Sequence, residues 1–224
     1  MMKGMIQLHY YPSTASMAPH ILLRELKVPF ELLLVDRTQN AQKMTAYLKL
    51  NPNGLIPVLT DGDLILYEAA AICLHLCDTY PEAALAPKVG TAERAHFYKW
   101  LMWLTNTLQA TLITYFYPER WVNAGNDAGA AQVKAQAEIK VGVLLDQLDA
   151  ELARQGQNNA APWLLGANYS AADIYTLMLC RWTRNFESKP ARDRASLGPY
   201  LQRMLARPAV VKAFEAEELG TPWV

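Results

Sequence analysis

A proline stands between Ile56 and the apolar run Val58-Leu59-Thr60, and this placement constrains the fold more than any other feature of the chain. Lacking a backbone N–H, proline is confined within sheets to edges, bulges or the first residue of a strand. Here it opens a strand. The preceding Asn51-Pro52-Asn53-Gly54 is a turn cluster. Asp61-Gly62 supplies a tight-turn pair ahead of Leu64-Ile65-Leu66, so residues 58–60 and 64–66 read as a β-hairpin. A cis Ile56-Pro57 bond would turn the backbone sharply and present the Ile56 amide and carbonyl outward. Glu68 begins a helical run, where a carboxylate suits the positive helix end. Such a backbone edge beside a helix N-terminus is a docking place for a small peptide.

The elements around the hairpin alternate. Residues 5–11 carry Ile6, Leu8 and Tyr10 at strand spacing, and residues 17–27 carry Ile21, Leu22 and Leu26 at helical spacing. Residues 30–35 read as a buried strand and residues 41–50 as a helix stopped by Asn51-Pro52. With the helix 68–80 the order is βαβ–ββα, a mixed sheet with helices on both faces, the thioredoxin-like arrangement. Pro81, Pro87 and Gly90 then break the chain. Beyond them the pattern is helical throughout, over 91–117, 130–152 and 170–186, with two short helices around Pro208. Ser170 stands three residues before Asp173, a capping-box-like start with Asp in place of Glu. The segment Gln155-Gly156-Gln157-Asn158-Asn159 reads as a loose loop. These patterns predict an α/β thioredoxin-like domain over 1–84, a linker over 85–90 and an all-α domain over 91–224.

Charge and cysteine content exclude several function classes. Lys and Arg total 21 against 21 Asp and Glu, so there is no electrostatic footprint for nucleic acid or an anionic membrane. No apolar run reaches the roughly 20 residues of a membrane span. Met1-Met2-Lys3-Gly4 leads directly into a strand without an apolar signal region. Cys73, Cys77 and Cys180 are too few for a disulfide scaffold, and the first two lack redox spacing. His9, His20 and His96 have no zinc-like spacing to any cysteine, so no metal is expected. The expected setting is cytoplasmic.

The strand-opening Ile56-Pro57, the segment Glu68-Ala69-Ala70-Ala71-Ile72, the turn segment from Leu8 to His20 and the Ser170-Ala171-Ala172-Asp173 start together resemble the glutathione transferase family. The resemblance implies that Pro57 is cis, that Ile56 hydrogen-bonds the cysteinyl backbone of glutathione, and that Glu68 contacts its γ-glutamyl end. It implies a homodimer acting on glutathione and a small hydrophobic electrophile, with the pocket for the latter contributed by the helical domain. The loop Pro12-Ser13-Thr14-Ala15-Ser16 holds the activating hydroxyl of serine-type members at Ser13 or Thr14, with Ser13 ranked first. Ala15 stands where some bacterial members carry cysteine, which argues against a mixed disulfide on the protein. Ser16 is expected as the cap of the first helix, within the glutathione-binding set.

Two departures lower the expected affinity. Ala69 stands where the family often has serine, leaving its amide and the helix end to capture the γ-glutamyl carboxylate. Leu55 replaces a common polar residue. Asn40 and, one helical turn on, Lys43 are the nearest matches to a glutathione-contacting lysine of cysteine-type members. In the aromatic stretch with Trp103, Phe116, Tyr117 and Trp121, Gln109 and Tyr115 are the expected pocket residues. The thiol chemistry asks for little. A pKa near 8.5 falls by about two units for about 2.7 kcal/mol of preferential thiolate stabilisation. One charge-assisted hydrogen bond with a helix N-terminus is of that size. Glutathione-dependent disulfide or peroxide reduction and a non-catalytic interaction module are the alternatives.

Overall fold

The computed structural model describes residues 5–157 and 159–224, so Met1-Met2-Lys3-Gly4 and Asn158 lie outside the described residues. The chain forms two compact units, one of residues up to Ala86 with Leu205–Gly220, the other Pro87–Met204 with Thr221–Val224. Residues 205–220, which the sequence pattern places in the helical domain, belong to the first unit instead.

In the first unit, β1 (Ile6–Tyr10), β2 (Phe30–Leu34), β3 (Val58–Asp61) and β4 (Leu64–Tyr67) form a sheet of order β2-β1-β3-β4. β1 and β2 run parallel, and β3 is antiparallel to β1 and β4. The alternation of β1 buries Ile6 and Leu8. Two expectations need correction here. β2 is an edge strand rather than a buried one, because Glu31 interrupts its apolar run and bonds Gln7 Nε2 at 2.9 Å while Leu34 stays exposed. The hairpin turn is Gly62-Asp63, since Asp61 still pairs with Leu64. Gly62 at φ +59 supplies the positive φ that the first turn position of a primed turn requires.

The helices of this unit are α1 (Met17–Leu26), a single turn α2 (Thr45–Leu48) and α3 (Ala69–Thr79). α1 and α3 pack together. On the face that Val58 presents, Tyr47 of α2 joins Val35 and Val58 in a cluster completed by Ile56 and Tyr67. The helix expected over 41–50 is broken into the 3-10 turn Ala41–Lys43 and α2, with Met44 extended between them.

The second unit is helical. α4 (Ala92–Trp103) passes through a π-helical segment, Leu104–Gln109, into α5 (Ala110–Phe116). α6 (Asp127–Gly156) runs further than its apolar pattern and includes Gln155 and Gly156 of the expected loop. α7 (Ala171–Trp182) begins as its sequence predicts: the Ser170 amide donates to Asp173 Oδ2 at 2.8 Å. α8 (Leu197–Leu205) brings Tyr200 to the same carboxylate, and α9 (Pro208–Ala216) returns to the first unit. No helix among the described residues is long and apolar enough to cross a membrane.

Candidate functional site

Strand register gathers the site. His9 pairs with Val58 and Val58 with Tyr67, so the exit of β1, the entry of β3 and the exit of β4 lie at one end of the sheet. The loop 11–16 follows the first, Ile56-Pro57 precedes the second and Glu68 follows the third. β2 is parallel to β1, so Asn40 and Lys43 follow its exit at the same end. Ligands of α/β sheets collect at such strand ends.

The Ile56-Pro57 bond is cis. Pairing of β3 starts only at Val58, and the amide and carbonyl of Ile56 make no hydrogen bond among the described residues. The side chain is spent on packing against the Tyr47 cluster. A short extended peptide could therefore pair its own backbone with Ile56. The preceding carbonyl, that of Leu55, is held from two sides, by Tyr47 Oη at 2.9 Å and Asn51 Nδ2 at 2.8 Å. Burial pushes the Tyr47 phenol well above its usual range, so it stays a donor. Gly54 has φ +60, and a Cβ there would stand 2.8 Å from the Gln42 carbonyl and 2.9 Å from Lys43 Nζ. Only glycine lets this turn close on the 41–43 segment, where Lys43 Nζ donates to the Asn53 carbonyl at 3.3 Å. The Leu55 side chain is exposed.

Glu68 precedes α3 with φ 73 and ψ 107, a conformation that strains a residue with a side chain. Its carboxylate is exposed and does not cap the helix. The first intrahelical donor is Ile72, to the Glu68 carbonyl at 2.9 Å, so the amides of Ala69, Ala70 and Ala71 are left for an anion.

In the loop, the three hydroxyls are not equivalent. Thr14 Oγ1 donates to the Tyr11 carbonyl at 2.7 Å and lies 3.0 Å from Ser16 Oγ. Ser16 Oγ donates to the same carbonyl at 3.1 Å. Ser16 is therefore not the cap its sequence position suggests: its side chain is fully buried and makes no cap bond to α1, tying the loop to the end of β1 instead. The Ser13 hydroxyl has no hydrogen-bond partner among the described residues. Its residue adopts φ 62, and its amide donates to Glu217 Oε2 at 3.0 Å. Asn40, also left-handed at φ 53, joins two 3-10 turns and is exposed, as is Lys43.

Gln109 and Tyr115 are both engaged within the helical unit. Gln109 closes the π-helical segment, and Tyr175 donates its hydroxyl to Gln109 Oε1 at 2.6 Å. Tyr115 stacks on Phe186 with centroids 4.4 Å apart, and Lys134 Nζ lies 5.0 Å from its ring. An open groove of about 730 Å³ in the same unit is lined by Thr107, Thr111, Trp121, Gln136 and Lys140 among others, and by neither Gln109 nor Tyr115. Among the described residues, no group of three His, Cys, Asp or Glu could hold a metal ion.

Sequence reasoning missed Glu217, Tyr47 and Asn51. Asn51 carried a signal, as a short amide in a turn cluster. Glu217 carried none, since it meets Ser13 across 204 positions.

Residues 8–84 match the family described as glutathione S-transferase, N-terminal domain, and residues 104–208 match its C-terminal domain. Glutathione S-transferase GST-4.5 of Xanthomonas campestris is 31% identical over 215 residues, which span 96% of this chain and 100% of that protein. A sphingomonad glutathione S-transferase solved in complex with glutathione matches with a TM-score of 0.79 at 31% identity, over 96% of this chain and 100% of that one. A glutathione transferase homologue from Sulfitobacter, solved with bound glutathione, matches with a TM-score of 0.85 over 96% and 99%; at 24% identity that likeness is one of fold.

Proposed function

The chain belongs to the glutathione S-transferase family, and from that premise we propose that it transfers the glutathione thiolate to small electrophilic molecules. The observation that carries this reading is the unpaired backbone of Ile56 at the same sheet end as the Ser13 hydroxyl and the amides opening α3. Ile56 takes the cysteinyl backbone. Glu68 takes the γ-glutamyl ammonium, and the amides of Ala69 and Ala70 take its carboxylate. Lys43, with Asn40 beside it, stands ready for an anionic group of the peptide. Leu55 contributes only its side chain at the rim, because its carbonyl is already bonded.

Ser13 donates its hydroxyl to the sulfur. A donor interacts more strongly with thiolate than with thiol, so the proton is released to solvent and the anion is retained. The thiolate then attacks the electrophilic carbon. A C–S bond forms and, with an aryl halide, halide departs. Thr14 is the weaker candidate because its proton is committed to the Tyr11 carbonyl. In the helical unit, Tyr175 fixes the Gln109 amide by its oxygen and leaves the NH₂ group for a polar handle on the electrophile, while Tyr115 offers aromatic surface.

Cys73, Cys77 and Cys180 form no disulfide, which fits a reducing, cytoplasmic compartment. Exposed Ile139 and Val143, one turn apart on α6, and exposed Leu64 and Ile65 on edge strand β4 leave apolar surface for a second copy to cover. Sedimentation of the purified protein reads that directly. The functional test is calorimetric titration with glutathione, followed by turnover with an aryl halide, an epoxide, an enone and an organic hydroperoxide. Binding with conjugation of at least one carbon electrophile is expected. Binding with hydroperoxide turnover alone would replace transfer by reduction, and no binding would remove the enzyme reading.

A further inference from the structure

We propose that Glu217 is a positioning residue for catalysis, holding the Ser13 hydroxyl in place through the Ser13 backbone amide. The inference rests on the reading of Ser13 as the thiolate donor. Ser13 sits at φ 62, a conformation that is unfavourable for a residue with a side chain and persists only where its surroundings impose it. The bonds that Thr14 and Ser16 make to the Tyr11 carbonyl fasten the following residues and leave Ser13 untouched. Among the described residues Ser13 makes one hydrogen bond, and it goes to Glu217 Oε2 at 3.0 Å.

That carboxylate is itself fixed. Its other oxygen, Oε1, lies 2.8 Å from His20 Nδ1, and both side chains have no solvent exposure. Arg24 Nε donates to His20 Nε2 at 3.4 Å, which makes Nε2 an acceptor and places the imidazole proton on Nδ1, facing Glu217. The His20 ring is enclosed by Tyr10 and Phe30, with centroids 6.3 and 5.8 Å away. Arg24 lies over the Phe30 ring at 5.0 Å. A chain of donors thus runs from Arg24 through His20 to Glu217, with Ser13 donating from the opposite side.

The backbone carrying Glu217 is equally constrained. α9 packs along α1. Arg207, just before α9, makes two bonds to Glu25 of α1, at 2.6 and 3.1 Å. Glu217 stands just after α9, so the helix is pinned to α1 at both ends. Burying a carboxylate is costly unless its lone pairs are met. Here they are met by one side chain that anchors it and by one loop amide that it anchors. The Tyr10 phenol, at the end of β1, is pushed up by burial and by the charges of Glu217 and Glu218.

The test reads the thiolate absorbance of bound glutathione against pH in wild type, Ser13→Ala, Glu217→Ala, Glu217→Gln and the Ser13→Ala/Glu217→Ala pair. Glu217→Ala should raise the thiol pKa by roughly one unit, about a tenfold fall in the ratio of thiolate to thiol at a given pH. kcat should fall with it while KM for glutathione stays near wild type. The double variant should shift no further than Ser13→Ala alone. Glu217→Gln keeps an acceptor for the Ser13 amide but turns an NH₂ group toward His20 Nδ1–H, so it should recover only part of the shift. A folded Glu217→Ala protein with an unmoved titration, beside a Ser13→Ala protein whose titration moves, overturns the role of Glu217 and leaves Ser13 standing. Additive shifts in the double variant overturn it too, because Glu217 would then act without Ser13. An unmoved Ser13→Ala removes the donor reading and this inference together. Amide exchange at Ser13 in the wild-type protein needs no variant: protection is expected, and exchange at the rate of an open loop overturns the bond.

Discussion

Tyr47 donates its phenol hydroxyl to the Leu55 carbonyl at 2.9 Å, immediately ahead of Ile56, whose amide and carbonyl make no hydrogen bond among the described residues. The same ring belongs to the cluster against which the Ile56 side chain packs. One residue of a single-turn helix therefore fixes both the side chain and the approach of the docking residue.

Removing these supports should loosen the docking edge. Asn51 is buried, donating to the Leu55 carbonyl and accepting from the Asn53 amide at 3.0 Å. Asn51→Ala should cost about 1–3 kcal/mol of stability and Tyr47→Phe about 1 kcal/mol, since Asn51 still serves the carbonyl in the latter. Denaturant unfolding gives the stabilities. Glutathione titration of the folded variants should show weaker binding in the same order; unchanged affinity in both would detach the turn from the site.

Glu68 combines an exposed carboxylate with a strained backbone, so its two roles separate by substitution. Glu68→Ala and Glu68→Gly should each weaken glutathione binding about 10- to 100-fold, the loss of a charge-assisted bond. Glycine accepts φ 73 without cost, whereas alanine does not. The glycine variant should therefore be about 1 kcal/mol more stable than the alanine variant. Full affinity in either folded protein would take Glu68 out of the site.

The fold was legible where one residue type has one physical use. Pro57 could only open its strand, and Gly62 could only turn the hairpin. Ser170 with Asp173 announced a helix start by local chemistry. The edge position of β2 was harder, because burial is a property of neighbours and Glu31 was the sole hint. The π-helical segment before Ala110 left no mark, since its apolar spacing continues that of α4. Around the candidate site, the turn ahead of Ile56-Pro57 and the helix start beside Glu68 could be read from local sequence. Which hydroxyl is available could not, because that depends on a carbonyl, Tyr11, that Thr14 and Ser16 share. Glu217 was beyond reach, its partner lying at the other end of the chain.

No cysteine should be needed for turnover. Cys73 and Cys77 are buried on α3 and Cys180 on α7. Burial pushes the Cys73 thiol up, with Cys77 adding to it, and raises Cys180 to about 12, far from a reactive thiolate. A triple Cys→Ala variant should lose on the order of 1 kcal/mol of stability per site and keep most of its turnover. Loss of turnover in the folded variant, or a protein–glutathione mixed disulfide on any of the three, contradicts the serine-type mechanism.

Asp173 should be critical to stability. Its Oδ1 accepts from the Leu164 amide at 2.8 Å and the Tyr200 hydroxyl at 2.9 Å, and its Oδ2 from the Ser170 amide and hydroxyl at 2.8 and 3.0 Å. An amide in its place turns an NH₂ group toward two of those donors. Asp173→Asn should cost about 3 kcal/mol or more, and Tyr200→Phe about 1–2 kcal/mol. Thermal unfolding of both variants checks the ranking; an Asn variant as stable as wild type would show that the network bears no strain of this kind.

The central claim, that the Ser13 hydroxyl stabilises the glutathione thiolate, is tested most directly by the ultraviolet thiolate titration of bound glutathione in Ser13→Ala, with Thr14→Ala beside it. Ser13→Ala should raise the bound thiol pKa by roughly one to two units, with activity partly recovered as pH rises. Thr14→Ala should move it less, its proton being committed to Tyr11. A titration unmoved in both single variants and in the double variant would contradict the account and leave the loop hydroxyls a purely structural role.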